Sequence, residues 1–294
     1  MADQARLTHR VSTVERAAVI RRPRLVATDL DGTFLRSDGS VSARTARVWA
    51  ALPEHGIETV IVTARPPRWV HDLRHVVGAH GIAICGNGAF VYAVETREVI
   101  EQHCFDPVVL AGILADLRRA LPQVLLATET VAGPVFEDGW PDPRREVERV
   151  VVRAGDDDGL LDRPVGKLLA LAPGLTTEQF LAVVREVVAD RGRLAFSGAV
   201  GLAEVGPAGV SKATALARWS AERRIAAEHV WAFGDMQNDL PMIEWAGCGI
   251  AVANAHPDVL AMADHVAPSN DDDGVAVTTE PLLGDPGADP PPGP

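Results

Sequence analysis

RLVATDLDGTFLRSDG, residues 24–39, is the stretch on which the reading of this chain turns. Leu25, Val26 and Ala27 form an apolar run that reads as a strand entering a protein interior. The run then delivers two aspartates, Asp29 and Asp31, with Leu30 between them and Gly32 and Thr33 behind. Two carboxylates at a strand end can mark nothing more than a turn, because aspartate and glycine are both turn formers. They can also mark a metal or phosphate site, and that reading needs partners elsewhere in the chain.

The flanking sequence supplies a regular pattern. A helical period over about 41–55 is followed by the β-branched run ETVIVTA (58–64), a short helix, and GIAICGNGA (81–89). The alternation returns near 210: a helix over 210–224, the strand HVWAFGD (229–235), a helix over 237–245, the strand GIAVA (249–253) and a helix over 256–263. Apolar strands alternating with amphipathic helices predict an α/β fold with a parallel sheet covered on both faces. Between the two halves the texture changes. Shorter strands (FVYAVE, EVIEQHCF, VLLATET) and helices over 107–121 and 176–190 predict a separate α+β module inserted into the sheet domain. The expected organisation is a core of 24–89 and 206–282, an insert of 90–205, and two disordered ends, 1–23 and 283–294. The arginine-rich start lacks the apolar centre of a secretory signal, and the tail GDPGADPPPGP is too rich in proline and glycine to pack.

In open parallel sheets, ligands bind beyond the carboxyl ends of the strands. That rule gathers Asp29 and Asp31 from the first strand, Thr63 from the second and Asp235 from HVWAFGD at one edge. Read alone, GDMQND (234–239) is a helix start, with Asp235 as the cap and Asn238 and Asp239 in the first turn. Together, three acids and a hydroxyl at one mouth suit Mg2+, which takes oxygen ligands and shares them with substrate phosphate. An EF-hand does not fit: counted from Asp29, the glycine comes two positions early and no glutamate stands at the twelfth. With the metal present, one aspartate can attack phosphorus to give an aspartyl phosphate. The other can protonate the leaving alcohol and then activate water. Lys212, in GVSKATAL, adds a compact positive charge for phosphoryl oxygens.

Composition restricts the partners. The chain has 294 residues, 47% of them apolar, and a formal charge of −12, which excludes nucleic acid and anionic membranes as main partners. A small phosphorylated metabolite needs only local positive groups. Cys85, Cys104 and Cys248 form no CxxC, so neither a zinc site nor a disulfide framework is expected, and a reduced, cytoplasmic setting fits. No apolar run reaches the roughly 18 residues of a membrane span.

The set DLDGT (29–33), Thr63 in VIVTAR, Lys212 in GVSKATAL and GDMQND (234–239) resembles the four motifs of the haloacid dehalogenase superfamily, in order. NGA (87–89), GCGIAVANAHPDV (247–259) and DDDGVA (271–276) resemble its Cof-type branch, subfamily IIB. The resemblance covers about 23–282. It implies a Rossmann-like core with an inserted C2-type cap, and Mg2+-dependent phosphatase activity on sugar phosphates or related metabolites. By position, Asp29 would be nucleophile and metal ligand, and Asp31 the acid/base with its backbone carbonyl on the metal. Asp235 would be the remaining protein ligand, with Asp239 orienting the site from nearby. Thr63, Lys212 and Asn238 would hold phosphate, helped by the backbone amides of Leu30 and Ala64. Ala64 departs from the glycine of many relatives, although an available N–H is all that phosphate needs. A sugar phosphomutase of the same superfamily and a non-catalytic phosphometabolite-binding protein are the rival readings.

Other signals carry less. GNGAFV is not a GxGxxG, and VGKLL (165–169) lacks the full phosphate-loop pattern. The DDD runs at 156–158 and 271–273 read as solvated loops. Arg65, Trp140, Arg144 and Arg145 are candidates for substrate contacts from the rim or the insert.

Overall fold

A computed structural model describes residues 21–74, 81–141, 150–195 and 200–284. Strand β1 (Leu25–Thr28) is buried along its whole length. It lies between two parallel neighbours, β2 (Glu58–Val62) and β12 (Val230–Gly234). The sheet continues in parallel through β3 (Ile82–Cys85) on one side, and through β13 (Cys248–Val252) and β14 (His265–Ala267) on the other. Side chains alternate between two separate cores, as period-2 geometry requires. Val26, Ile61 and Phe233 pack into one core, while Leu25, Ala27, Val60 and Ala232 pack into the other. Burial on both faces explains why these strands read as continuous apolar runs.

Two of the helices between the strands start where the sequence provides a hydroxyl cap. The Ser42 hydroxyl accepts from the Thr45 amide at the start of helix 43–51. Ser211 and Thr214 form a reciprocal capping box that opens helix 212–222 and fixes Lys212 as its first residue.

The sheet is wider than the sequence predicts. Strands β4 (Phe90–Ala93) and β5 (Glu98–Gln102), assigned above to the insert, extend it antiparallel from β3, giving the order β14-β13-β12-β1-β2-β3-β4-β5. The chain reverses at Gly86–Gly88, where Asn87 (φ 57°) and Gly88 (φ 108°) are left-handed. At Gly88 a Cβ would come within 2.4 Å of the Ser211 carbonyl oxygen, so only glycine lets the turn approach helix 212–222. A hairpin needs no crossover helix, and so the loss of β/α alternation after Ala89 marks a change of strand direction rather than of layer.

A second sheet begins at β6 (Leu125–Thr130). It includes β7 (Gly133–Glu137), β8 (Val150–Val152), β9 (Val165–Leu171), β10 (Gly192–Ala195) and β11 (Leu202–Pro207), in the order β10-β11-β9-β6-β7-β8. All neighbours are antiparallel except β7 and β8. Helices 107–120 and 177–188, capped by Asp106 and by a Thr176–Gln179 box, cover one face through Leu114, Leu117, Phe180 and Val184. The chain is therefore an α/β Rossmann-like core carrying an inserted α+β layer.

The acidic runs are structural rather than merely solvated. Asp156 caps helix 157–161, and Asp157 pairs with Arg118. Asp271 accepts from the amide and hydroxyl of Ser37, and Asp273 pairs with Arg36, which ties the loop after β1 to the C-terminal segment. Of the ends expected to be disordered, 21–23 and 283 are built into the fold. Arg21 pairs with Glu228, Arg22 donates to the Leu282 carbonyl, and Leu283 closes the helical turn 280–283. Residues 1–20 and 285–294 lie outside the described residues, as do Arg144 and Arg145. Among the described residues no helix is long and apolar enough to cross a membrane.

Candidate active site

At the end of β1 the chain leaves extended geometry. The Asp29 amide still donates to the Phe233 carbonyl (2.9 Å), pinning this residue to the end of β12. Gly32 then takes a left-handed φ of 78°. A Cβ at Gly32 would come within 2.5 Å of Asp235 Oδ2, so the glycine is what lets the turn close over Asp235.

The Asp29 side chain is buried, at 5% exposure, and accepts from Lys212 Nζ at 2.5 Å. The same ammonium donates to Asp239 Oδ1 at 2.6 Å. The other oxygen of Asp239 accepts from the backbone amides of Asp235 (3.2 Å) and Met236 (3.0 Å), so both its oxygens are committed. Asp235 Oδ1 accepts from Thr33 Oγ1 at 2.8 Å. Carboxylate oxygens of Asp29, Asp235 and Asp239 lie within 4.8 Å of one another.

Three buried carboxylates thus face one ammonium. Burial pushes the Asp29 carboxyl well above the usual carboxylate range against the pull of Lys212, and Asp239 and Asp235 add to the rise. Asp235 is pushed up to about 6 by burial and by Asp239. For Lys212, burial acts to lower the pKa, but Asp239 and Asp29 together raise it, so the ammonium is retained. With all three carboxylates ionised against one ammonium, the charge left over is that which one divalent cation would balance. The donors are all hard oxygens, and the Gly32 turn leaves Asp235 Oδ2 room that a side chain would fill. This chemistry fits Mg2+.

Asp31 stands in a different environment. Its side chain is 56% exposed and is held by Arg65, with Nε to Oδ2 at 2.8 Å and a second contact from Nη2 to Oδ1. Thr63 is buried at the end of β2. Its amide donates to the Ile84 carbonyl, and its hydroxyl accepts from the Arg65 amide at 3.1 Å. Asn238 Nδ2 donates to Asn87 Oδ1 at 3.2 Å, while the buried Asn238 Oδ1 has no hydrogen-bond partner. The Leu30 side chain is in the core, leaving only its backbone for a ligand. Asp29, Asp31, Thr63, Ala64, Arg65 and Asn238 line one cavity of about 340 Å³. Lys212 and Asp235 stand behind its Asp29 wall.

The opposite wall is the second sheet. Leu168, Ala170, Ala203 and Val205 point to the helices, so by alternation Lys167, Leu169, Leu202 and Glu204 face the cavity, joined by Glu129 of β6. Lys167 Nζ bridges the layers, donating to Glu204 Oε2 (2.6 Å) and to the Ala64 carbonyl (2.7 Å). Arg68 reaches across to both oxygens of Glu129 (2.6 and 2.9 Å). Sequence reasoning set VGKLL aside and did not select Glu129 or Glu204. The available signal was a single charged residue in each of three otherwise uncharged strands, Glu129 in β6, Lys167 in β9 and Glu204 in β11. Trp140 does not line the cavity; it stacks on Phe136, with ring centroids 5.8 Å apart.

Known proteins share this architecture. Residues 26–278 match the family model of haloacid dehalogenase-like hydrolases. The chain is 29% identical over 262 residues to the 5-amino-6-(5-phospho-D-ribitylamino)uracil phosphatase YitU of Bacillus subtilis, covering 87% of this chain and 96% of that protein. It is 31% identical over 257 residues to the HMP-PP phosphatase of an Enterobacter species, covering 83% and 89%. A solved haloacid dehalogenase-like hydrolase from Bacteroides thetaiotaomicron superposes with a TM-score of 0.72 at 26% identity, covering 89% of this chain and all of the other. With the family model spanning both sheets and every motif residue that lines or backs the cavity, the chain belongs to the haloacid dehalogenase-like hydrolases.

Proposed function

We propose that this protein is a Mg2+-dependent phosphomonoester hydrolase that acts on a small phosphorylated metabolite through an aspartyl phosphate on Asp29. The observation that carries the reading is the division of labour at the end of β1. Asp29 is buried against Lys212 and the other carboxylates, whereas Asp31, two residues on, is exposed on the cavity wall. The phosphatase relatives support the reaction class.

Asp29, Asp235 and the backbone carbonyl of Asp31 would hold the metal. Bound there, Mg2+ supplies the positive charge that lets a phosphoryl group approach a carboxylate-rich wall. Lys212 pulls Asp29 toward its ionised form and orients it, and Asp239 fixes Lys212. The Thr63 hydroxyl, the Asn238 amide and the Leu30 and Ala64 N–H groups take the phosphoryl oxygens. An Asp29 oxygen attacks phosphorus, and the P–O bond to the alcohol breaks. Asp31, released from Arg65 and having taken up a proton from solvent, gives that proton to the leaving oxygen. Asp31, now a carboxylate, takes a proton from a water that attacks the phosphorus of the aspartyl phosphate. The Asp29–phosphorus bond breaks, inorganic phosphate leaves, and both aspartates return to their starting states.

Phosphate release from a panel of small phosphomonoesters tests the reading. Hydrolysis that needs Mg2+, stops with chelator and is absent in Asp29→Asn is the expected result. Full activity of Asp29→Asn, or activity indifferent to chelator, would overturn it.

A further inference from the structure

Three successive backbone carbonyls follow β2, and each is held by a different group. The Thr63 carbonyl accepts from the Asn87 amide at 3.0 Å, and the Arg65 carbonyl from the Gly86 amide at 2.9 Å. Both donors belong to the turn at Gly86–Gly88 in the first sheet. The carbonyl between them, that of Ala64, accepts instead from a side chain of the second sheet, Lys167 Nζ of β9, at 2.7 Å. On its other side the Ala64–Arg65 peptide donates through the Arg65 amide to the Thr63 hydroxyl at 3.1 Å. Turning that peptide would break its bond to Thr63 and loosen residue 64, and these two residues carry groups proposed above to take phosphoryl oxygens.

The same lysine is anchored by Glu204 of β11, Nζ to Oε2 at 2.6 Å, and both side chains are buried. Glu204 Oε2 also accepts from Asn87 Nδ2 at 3.4 Å, and Asn87 Oδ1 accepts from Asn238 Nδ2 at 3.2 Å. A carboxylate paired with an ammonium can only accept, so Glu204 dictates which end of the Asn87 amide faces it. The Asn87 oxygen is thereby turned toward Asn238 and takes one of the two N–H bonds of that amide. The other is the one available to a phosphoryl oxygen. Groups of this kind keep a productive geometry only when neighbouring hydrogen bonds lock their orientation.

We infer that Lys167 and Glu204 of the second sheet form a positioning pair for the phosphoryl-binding groups of the first: Lys167 sets the Ala64–Arg65 peptide, and Glu204, through Asn87, sets the Asn238 amide. This rests on the phosphomonoesterase reading above, and it gives the two residues a part in holding the phosphoryl group rather than the leaving group. Neither needs to touch the substrate to play it. The phosphoryl-binding half of the site is thus finished by a layer other than the one that carries it.

Inorganic phosphate has no leaving group, so its binding to the Mg2+-loaded protein, measured by calorimetry, isolates this role. Lys167→Met combined with Glu204→Leu is the decisive variant. It removes both charges together, orphans neither and keeps the net charge, and exchanging a buried ion pair for apolar residues is often neutral or stabilising. The dissociation constant for phosphate is expected to rise at least ~10-fold, the scale of one lost hydrogen bond to a charged group. Mg2+ affinity measured without phosphate should stay close to the parent's. Glu204→Gln alone keeps an oxygen that can accept from both Lys167 and Asn87, so most of the phosphate affinity should remain. Three results would overturn the inference: unchanged phosphate affinity in the double variant, Mg2+ affinity falling in step with it, or a loss in Glu204→Gln as large as in the double variant. Any of these leaves the reaction class standing so long as the parent hydrolyses p-nitrophenyl phosphate. A parent that neither binds phosphate nor hydrolyses that ester would remove the reaction class and the inference together.

Discussion

Replacing Lys212 by methionine tests the electrostatic logic of the site without reference to any substrate. Lys212 is 2% exposed and holds Asp29 and Asp239 through single hydrogen bonds of 2.5 and 2.6 Å. Methionine keeps the length and removes the charge, so two buried carboxylates face each other and Asp235 with no counter-ion. Removing one partner of a buried ion pair costs about 3–5 kcal/mol, because the charge left behind is desolvated. With a urea dependence of about 3 kcal/mol/M, expected for a chain of this size, the metal-free unfolding midpoint should fall by about 1–1.7 M. The loss should shrink on acidification. Without Lys212 the folded-state pKa of these carboxyls rises further, and a group with a raised folded pKa contributes stability that is complete below its unfolded value and fades as pH climbs through the folded one. Adding Asp239→Asn to the variant removes one of the two orphaned charges and should restore part of the loss. Urea unfolding in chelator at pH 7 and pH 5 provides the measurement. A Lys212→Met protein within about 0.5 kcal/mol of its parent at pH 7 would refute the claim that these charges are buried and interdependent.

Further tests address the metal cradle, its titration and the second sheet. Gly32→Ala places a methyl group on Asp235 Oδ2 and forces a left-handed alanine, so Mg2+ affinity measured by calorimetry should drop at least tenfold, with about 1–2 kcal/mol lost from the metal-free fold. Because the Asp235 carboxyl is pushed up to about 6, its ionisation opposes metal-free folding. Stability in chelator should therefore decline as pH rises from about 4 through 6, whereas saturating Mg2+ should flatten that decline and release protons on binding near pH 6. Arg118→Ala leaves the fully buried Glu137 without its cation and frees Asp157, costing about 2 kcal/mol in thermal unfolding while Mg2+-dependent turnover of p-nitrophenyl phosphate per folded molecule stays close to the parent's.

Much of the fold could be read from residue type because burial on both faces leaves an unmistakable mark. Strands β1, β2, β3, β12 and β13 are apolar runs with no polar face, and only a covered parallel sheet asks for that. Strands β4 and β5 were misassigned for the converse reason: an edge hairpin is partly exposed, and its alternating pattern looks like that of the second sheet. The polarity of strand ends brought Asp29, Thr63 and Asp235 together, since topology alone places them at one edge. The opposed environments of Asp29 and Asp31 were beyond such reasoning. They depend on Gly32 folding the turn toward Asp235, and on Arg65, which arrives from the loop after β2. Lys212 could be read as a positive charge for the site, but its place under Asp29 follows only from the Ser211–Thr214 box that fixes the helix start. Glu129, Lys167 and Glu204 were missed because their role comes from which face of the second sheet meets the first, and that is set by packing of helices 107–120 and 177–188 on the other side.

The central claim is that Asp29 takes the phosphoryl group and Asp31 handles the protons, and the most direct test is to catch that group on the chain. Asp31→Asn keeps the nucleophile but loses the base that activates water, so hydrolysis of the aspartyl phosphate should slow by about a hundred- to ten-thousand-fold. After rapid acid quenching with p-nitrophenyl phosphate and Mg2+, mass spectrometry of Asp31→Asn should find one phosphoryl group per chain on the peptide that contains Asp29, and none when Asp29→Asn is added. Phosphoryl label on any other residue, or its persistence in the doubly substituted protein, would contradict the account.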